Sequence, residues 1–120
     1  MVDLAAKLYA SATPESFDSA CKGRNYELEV TGDRHACTTP EGTRVVHFIG
    51  DKASEVTVIK KGIRKGALDQ VKRKHGKPDS VKTQGALKMH FWFTEKASVA
   101  VAFQSSTKSR STMVSFRSPT

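Results

Sequence analysis

The spacing of the apolar residues changes along the chain, and this change constrains the fold more than any other feature of the sequence. Up to Gly23 the apolar residues recur every three or four positions, as on one face of a helix. From Asn25 they alternate with polar residues, as in strands with one buried face. Helical spacing returns between Ile63 and His75, and alternation resumes after Ala86. This order of segments predicts an α+β protein.

The N-terminal helical region divides into two short helices. Residues 2–10 are rich in apolar side chains, and the second helix begins with Thr13 as its N-cap and Pro14 at its first helical position. This helix is predicted to end at Gly23, because glycine commonly follows the last helical turn. Its predicted buried face comprises Phe17, Ala20 and Cys21.

A third helix is predicted to end in a basic run, residues 72–75, which is followed by Gly76 and Pro78. Glycine suits the C-cap, and proline prevents the helix from continuing. Cations near this end complement the negative end of the helix dipole, so the basic run has a structural cause. The predicted buried stripe of this helix comprises Ile63, Ala67, Leu68, Val71 and His75.

The alternating segments predict about seven strands, four before the third helix and three after it. We expect residues 1–120 to form a single domain, in which one antiparallel sheet carries two or three helices on one face. The order is also compatible with two similar halves, residues 1–60 and 61–120, each a helical segment followed by a meander. The predicted core of the last three strands comprises Leu87, Met89, Phe91, Phe93, Val99, Val101, Phe103, Thr112, Val114 and Phe116.

The second half of the chain contains a helix, a Gly-x-Pro turn, an aromatic strand and two further strands. The positions that carry this pattern are Val71, Gly76, Pro78, Asp79, Trp92 and Phe103. The pattern resembles the half-repeat of proteins related to the beta-lactamase inhibitor protein and to the SmpA and OmlA outer-membrane-assembly lipoproteins. The resemblance implies a sheet with helices on one face and a second face free to bind proteins. It also implies a location in the cell envelope or outside the cell, and it does not imply enzymatic activity.

Positive charge is concentrated in the second half. Residues 1–58 contain 6 Lys or Arg and 9 Asp or Glu, a net charge of −3, whereas residues 59–120 contain 14 and 3, a net charge of +11. The total of +8 favours an acidic partner, which could be a protein surface, nucleic acid or an anionic membrane face. No apolar run is long enough to predict a spanning helix.

The two cysteines, Cys21 and Cys37, lie 16 residues apart. A disulfide between them would stabilise a small exported domain by about 3 kcal/mol on the chain-entropy model. The alternative is a pair of buried free thiols in a cytoplasmic protein. The N-terminal residues include Asp3, Lys7 and Glu15 and do not form a secretory signal, so a periplasmic or secreted location would require a signal that precedes this chain.

One arrangement in the sequence could bind a metal ion. If the hairpin loop comprises residues 40–42, His35, Cys37 and His47 share one face of the hairpin, and Cys21 could complete a zinc site. We instead favour a disulfide with two surface histidines, and we predict no metal or other cofactor. No nucleophile elbow, P-loop or dinucleotide-binding fingerprint is present, so an enzyme is not predicted.

The strand at residues 87–93 supplies the predicted binding site. Lys88, His90 and Trp92 alternate with the predicted core and would form an outward platform with Arg117. On the neighbouring strands, Ala100, Ala102, Met113 and Ser115 are expected to point the same way, which places small residues beside the aromatic ring. In the competing interpretation, another layer, such as the N-terminal helix, covers Trp92. The predicted binding residues are Trp92, His90, Lys88, Arg117, Lys72 and Arg73.

These observations predict a non-enzymatic protein-binding domain of the envelope or exterior. An inhibitor, an immunity protein or an assembly accessory would fit, with Trp92 anchoring an acidic protein partner. The alternative is a cytosolic nucleic-acid-binding domain, in which a base stacks on Trp92 while the surrounding cations contact phosphates.

Overall fold

A computed structural model of the chain describes residues 1–119, which form helices and strands in the predicted order. The helices are α1 (Val2–Ser11), α2 (Pro14–Gly23) and α3 (Lys65–His75). The strands are β1 (Glu27–Thr31), β2 (Arg34–Thr39), β3 (Gly42–Ile49), β4 (Lys52–Lys61), β5 (Ser80–Gln84), β6 (Leu87–Phe93), β7 (Ser98–Ser105) and β8 (Arg110–Arg117).

All eight strands belong to one antiparallel sheet, in the order β1-β2-β3-β4-β8-β7-β6-β5. The predicted α+β class, with helices on one face of one sheet, is therefore confirmed. The strand missing from the sequence prediction is β5, whose residues are mostly polar and exposed and so gave no alternating signal. The strand order is symmetrical about the β4–β8 pair, and each half contributes a four-stranded meander that follows a helical segment.

The three helices cover one face of the sheet, which we call the helix-covered face; the opposite one is the open face. Helix α1 packs against β4 and β8, and α2 packs against β1 and β2. Between them and the sheet lies a core of valines from both halves of the chain. Its least exposed members are Val46, Val56, Val58, Val101 and Val114.

Helix α2 begins and ends as predicted. The Thr13 hydroxyl accepts a hydrogen bond from the backbone N–H of Ser16, and Pro14 occupies the first turn. Phe17 and Cys21 are buried, whereas Ala20 is exposed. The predicted disulfide between Cys21 and Cys37 is confirmed, and it joins α2 to β2.

Helix α3 also ends where the sequence predicted. Gly76 has a φ of +79°, a backbone conformation that favours glycine, and its N–H donates to the carbonyl of Lys72. Ala67 and Val71 are buried, but His75 is exposed, so its assignment to the buried stripe was wrong. Among residues 1–119, no helix is both long and apolar enough to cross a membrane.

Candidate binding surface

Trp92 lies in the core, and the prediction that it anchors an exposed platform is wrong. Its side chain is 1% exposed and lies on the helix-covered face, where its indole N–H donates to the Gly76 carbonyl at 3.0 Å. The residue that accepts this hydrogen bond caps α3, so another layer covers the indole, as the competing interpretation proposed. Because the ring is inaccessible, the nucleic-acid hypothesis also loses the base-stacking surface that it assumed.

The other predicted binding residues do not form one surface. His90 is buried beside Trp92, and its Nδ1 lies 3.2 Å from the carbonyl of Val101. Lys88 is exposed on the same face, whereas Arg117 lies on the open face and is paired with Glu55 at 3.9 Å. The remaining two cations, Lys72 and Arg73, are exposed in the last turn of α3.

The error arose because β6 carries large apolar side chains on both faces. Trp92 pairs with Val99 and His90 pairs with Val101, so these residues share the helix-covered face. The alternate residues of β6, which were predicted to lie in the core, therefore lie on the open face: Leu87, Met89, Phe91 and Phe93. The predicted core residues of β7 and β8 were placed on the correct face.

Three residues of the Gly-x-Pro segment and the aromatic strand, Gly76, Asp79 and Trp92, connect α3 to β6 through hydrogen bonds. The indole of Trp92 binds the carbonyl of Gly76, at the end of the helix. In the turn that follows, the Asp79 carboxylate accepts a hydrogen bond of 2.7 Å from the N–H of Phe93. The N–H of Asp79 donates to the carbonyl of Phe91. The turn is thereby fixed to the strand at three points, which accounts for these residue types without a binding role.

The open face of the second half presents a cluster of partly exposed apolar side chains. Phe93 is 60% exposed, and its ring lies parallel to that of Phe91, with 6.3 Å between the ring centroids. A shallow cleft of about 370 Å³ runs between Phe91 and Met113. We call this cluster the open-face patch; its members are Leu87, Met89, Phe91, Phe93, Ala100 and Met113.

Charged residues border the open-face patch. The ammonium group of Lys82 lies 5.9 Å from the centroid of the Phe91 ring, and Arg117 lines the cleft beside Glu55. In the first half the open face is mainly polar, although Val45 and Ile59 also lie on it. The two parallel aromatic rings of the open-face patch lie in the second half.

The β2–β3 hairpin separates the histidines that were considered as metal ligands. Its loop has two residues, because Gly42 pairs with Thr39 and belongs to the strand; a Cβ at Gly42 would collide with the carbonyl oxygen of Ile59. His47 consequently lies on the open face and His35 on the helix-covered face. Cys37 is in the disulfide, and no group of three His, Cys, Asp or Glu side chains within residues 1–119 could hold a metal ion.

His35 instead belongs to a small buried cluster under α2. Its Nδ1 lies 2.7 Å from a carboxylate oxygen of Asp18, and its ring contacts the edges of Phe17 and Phe48. No local pattern predicts the contact between Asp18 and His35, because Asp18 lies on α2 and His35 lies on β2.

The fold and the surface define a class: an α+β protein with an eight-stranded antiparallel sheet, helices on one face and an uncovered aromatic and methionine cluster on the other. Comparisons with protein-family models, curated proteins and solved structures found no match to this chain.

Proposed function

We propose that the protein is a non-enzymatic protein-binding domain of the cell envelope or exterior, and that the open-face patch contacts the partner. The observation that carries this proposal is the uncovered pair of parallel rings, Phe91 and Phe93, with Met89 and Met113 beside them. Aromatic residues and methionine are enriched where proteins bind one another, and methionine adapts to irregular surfaces. The roles open to such a domain are inhibitor, immunity protein and assembly accessory.

Charge supports an acidic partner. Lys82 and Arg117 border the patch, and the half of the chain that contains it carries a net charge of +11. Cations at the rim of an interface accelerate association with an acidic surface, and the effect weakens as salt screens the charges. The Cys21–Cys37 disulfide supports an oxidising compartment, since such bonds are rare in the cytosol.

The test is affinity capture with the immobilised protein from periplasmic and secreted fractions. Captured proteins are identified, purified and titrated against the wild type and the double variant Phe91→Ser/Phe93→Ser. Because hot-spot aromatics each contribute about 2 kcal/mol or more, we expect the double variant to bind at least ~30-fold more weakly. We expect Lys82→Glu to lower the association rate and to reduce its salt dependence.

Ile49→Ser is the matched control, because Ile49 is 75% exposed and lies outside the patch. It should bind as the wild type does. Equal affinity of the patch variant would refute the proposed surface. The nucleic-acid alternative would be favoured by a different result. In that case no protein is captured, mixed oligonucleotides bind in a salt-sensitive way, and the double variant binds them as the wild type does.

A further inference from the structure

A cleft opens on the helix-covered face, between α1 and α2. Helix α1 packs on β4 and β8 and α2 packs on β1 and β2, so the intervening strand β3 is covered only in part. The cleft has a volume of about 490 Å³. This lies within the range of roughly 300–1,000 Å³ that is usual for small-molecule sites.

The walls and floor of the cleft are mainly apolar. Helix α1 contributes Leu4 and Leu8, and α2 contributes Phe17 and Ala20. The Cys21–Cys37 disulfide also lines it. Ser11 and Ser16 also line the cleft, but their hydroxyls donate to the carbonyls of Lys7 and Thr13. The body of a ligand that fits the cleft is therefore mainly apolar.

One cation enters this apolar space from the sheet. Arg44 on β3 stands opposite Cys37 on one side and Val58 on the other, and both of these residues are buried on the helix-covered face. Arg44 is half-buried and lines the cleft. Within residues 1–119 it forms no ion pair. A guanidinium that is partly withdrawn from water is stabilised by an anion, and a carboxylate matches its two-pronged donor geometry.

The other charged residues that line the cleft are also positive. Lys7 and Arg24 also line the cleft, and no Asp or Glu does. The carboxylate of Glu41, just before β3, is held by the ammonium group of Lys60 at 3.2 Å. The hydrogen bond from Lys60 is the main cause that lowers the pKa of Glu41, and the charge of Arg44 is a minor one. The cleft thus lacks an internal counter-ion for its three cations.

We propose that this cleft binds a free amphipathic carboxylate of the fatty-acid type. The hydrocarbon chain lies against Leu4, Leu8 and Phe17, and the carboxylate pairs with Arg44, with Lys7 and Arg24 adding attraction at the rim. The proposal is independent of the open-face patch, which lies on the other side of the sheet.

The test is calorimetric titration with dodecanoate, at concentrations too low for micelles, and with two partial mimics: dodecanol, which lacks the charge, and acetate, which lacks the chain. We expect saturable binding of one dodecanoate per chain, at least tenfold weaker binding of dodecanol and no measurable binding of acetate. Arg44→Gln should weaken dodecanoate binding about tenfold or more, because it removes a hydrogen bond between charged groups. Ala20→Phe should also weaken it, because the added ring occupies the cleft.

Arg34→Gln is the matched control: Arg34 is exposed on the open face of β2, next to β3, and its variant should bind dodecanoate normally. If circular dichroism shows that Arg44→Gln does not fold, the double variant Lys7→Gln/Arg24→Gln, at exposed positions, provides the same test of charge. Equal affinity for dodecanol and dodecanoate, or no effect of Ala20→Phe, would overturn the proposal. Binding to anionic vesicles without binding of free dodecanoate would overturn it as well.

Discussion

At the scale of single residues, hydrogen bonds from side chains fix both ends of α3. Only Ala67 and Val71 of this helix are buried, so packing alone holds it weakly. At its start, the Thr112 hydroxyl donates to the Gly62 carbonyl and accepts from the N–H of Arg64, each at 2.8 Å. At its end, Trp92 donates to the carbonyl of Gly76. We therefore expect Thr112 and Trp92 to contribute to the stability of the fold through these hydrogen bonds.

Replacing Trp92 with phenylalanine removes the indole donor and keeps an aromatic ring in the core. We expect the free energy of unfolding to fall by about 1–3 kcal/mol, because the Gly76 carbonyl loses its partner. Urea denaturation measures the change. Phe93→Ala, at the exposed neighbouring position, should change it by about 0.5 kcal/mol or less. Equal effects of the two variants would show that the bond of Trp92 contributes nothing.

Thr112→Val keeps the shape of a fully buried side chain and deletes its hydroxyl. The Gly62 carbonyl and the Arg64 N–H then lose a partner, so we expect a loss of about 1–3 kcal/mol and faster hydrogen exchange at the Arg64 amide. Thr112→Ser retains the hydroxyl and should keep that amide protected, whatever it costs in packing. Unchanged exchange in the valine variant would rule out this role.

At the scale of elements, the disulfide attaches α2 covalently to β2. This helix buries only Phe17 and Cys21 against the sheet. We expect Cys21→Ser/Cys37→Ser to lower the free energy of unfolding by about 3 kcal/mol, as the loop-closure model gives for a loop of this length. Ala20→Ser, at an exposed site on α2, is the control. Thiol titration of the denatured wild type without reductant should find no free thiol, and two free thiols would contradict the pairing.

The elements themselves were predictable where local signals agree with tertiary packing. The caps of α2 and α3 depend on adjacent residues, so Thr13 and Gly76 could be assigned from sequence alone. The buried face of β6 could not be assigned from sequence, because Phe91 and Trp92 on its two faces are both large aromatic residues. Only the position of α3 decides which of them is covered. The register of the β2–β3 hairpin depends on Gly42. This glycine was predicted to lie in the loop, but it belongs to β3, where the close approach of β4 leaves no room for a side chain. The open-face patch was not predicted, for the reason given for β6: its residues Phe91 and Phe93 were assigned to the core.

At the scale of the whole molecule, the two faces of the sheet present different chemistry. The open face offers an apolar patch with aromatic rings and a basic border in the second half, which suits contact with a protein surface. The helix-covered face offers an open cleft with a mainly apolar floor and three cations, formed by the first half. The sheet separates the two, so a variant such as Ala20→Phe should leave capture of a protein partner unchanged.

The pairing of β4 with β8 makes the two halves share one core, and from this we expect cooperative unfolding. Val56 faces Phe116 and Val58 faces Val114 across this pair. Trp92, the only tryptophan, reports on the second half, whereas the disulfide lies in the first. In Cys21→Ser/Cys37→Ser, the urea midpoint of Trp92 fluorescence should therefore decrease as much as that of far-ultraviolet circular dichroism. A fluorescence midpoint that stays at its wild-type value would mean that the halves unfold independently and are separate domains.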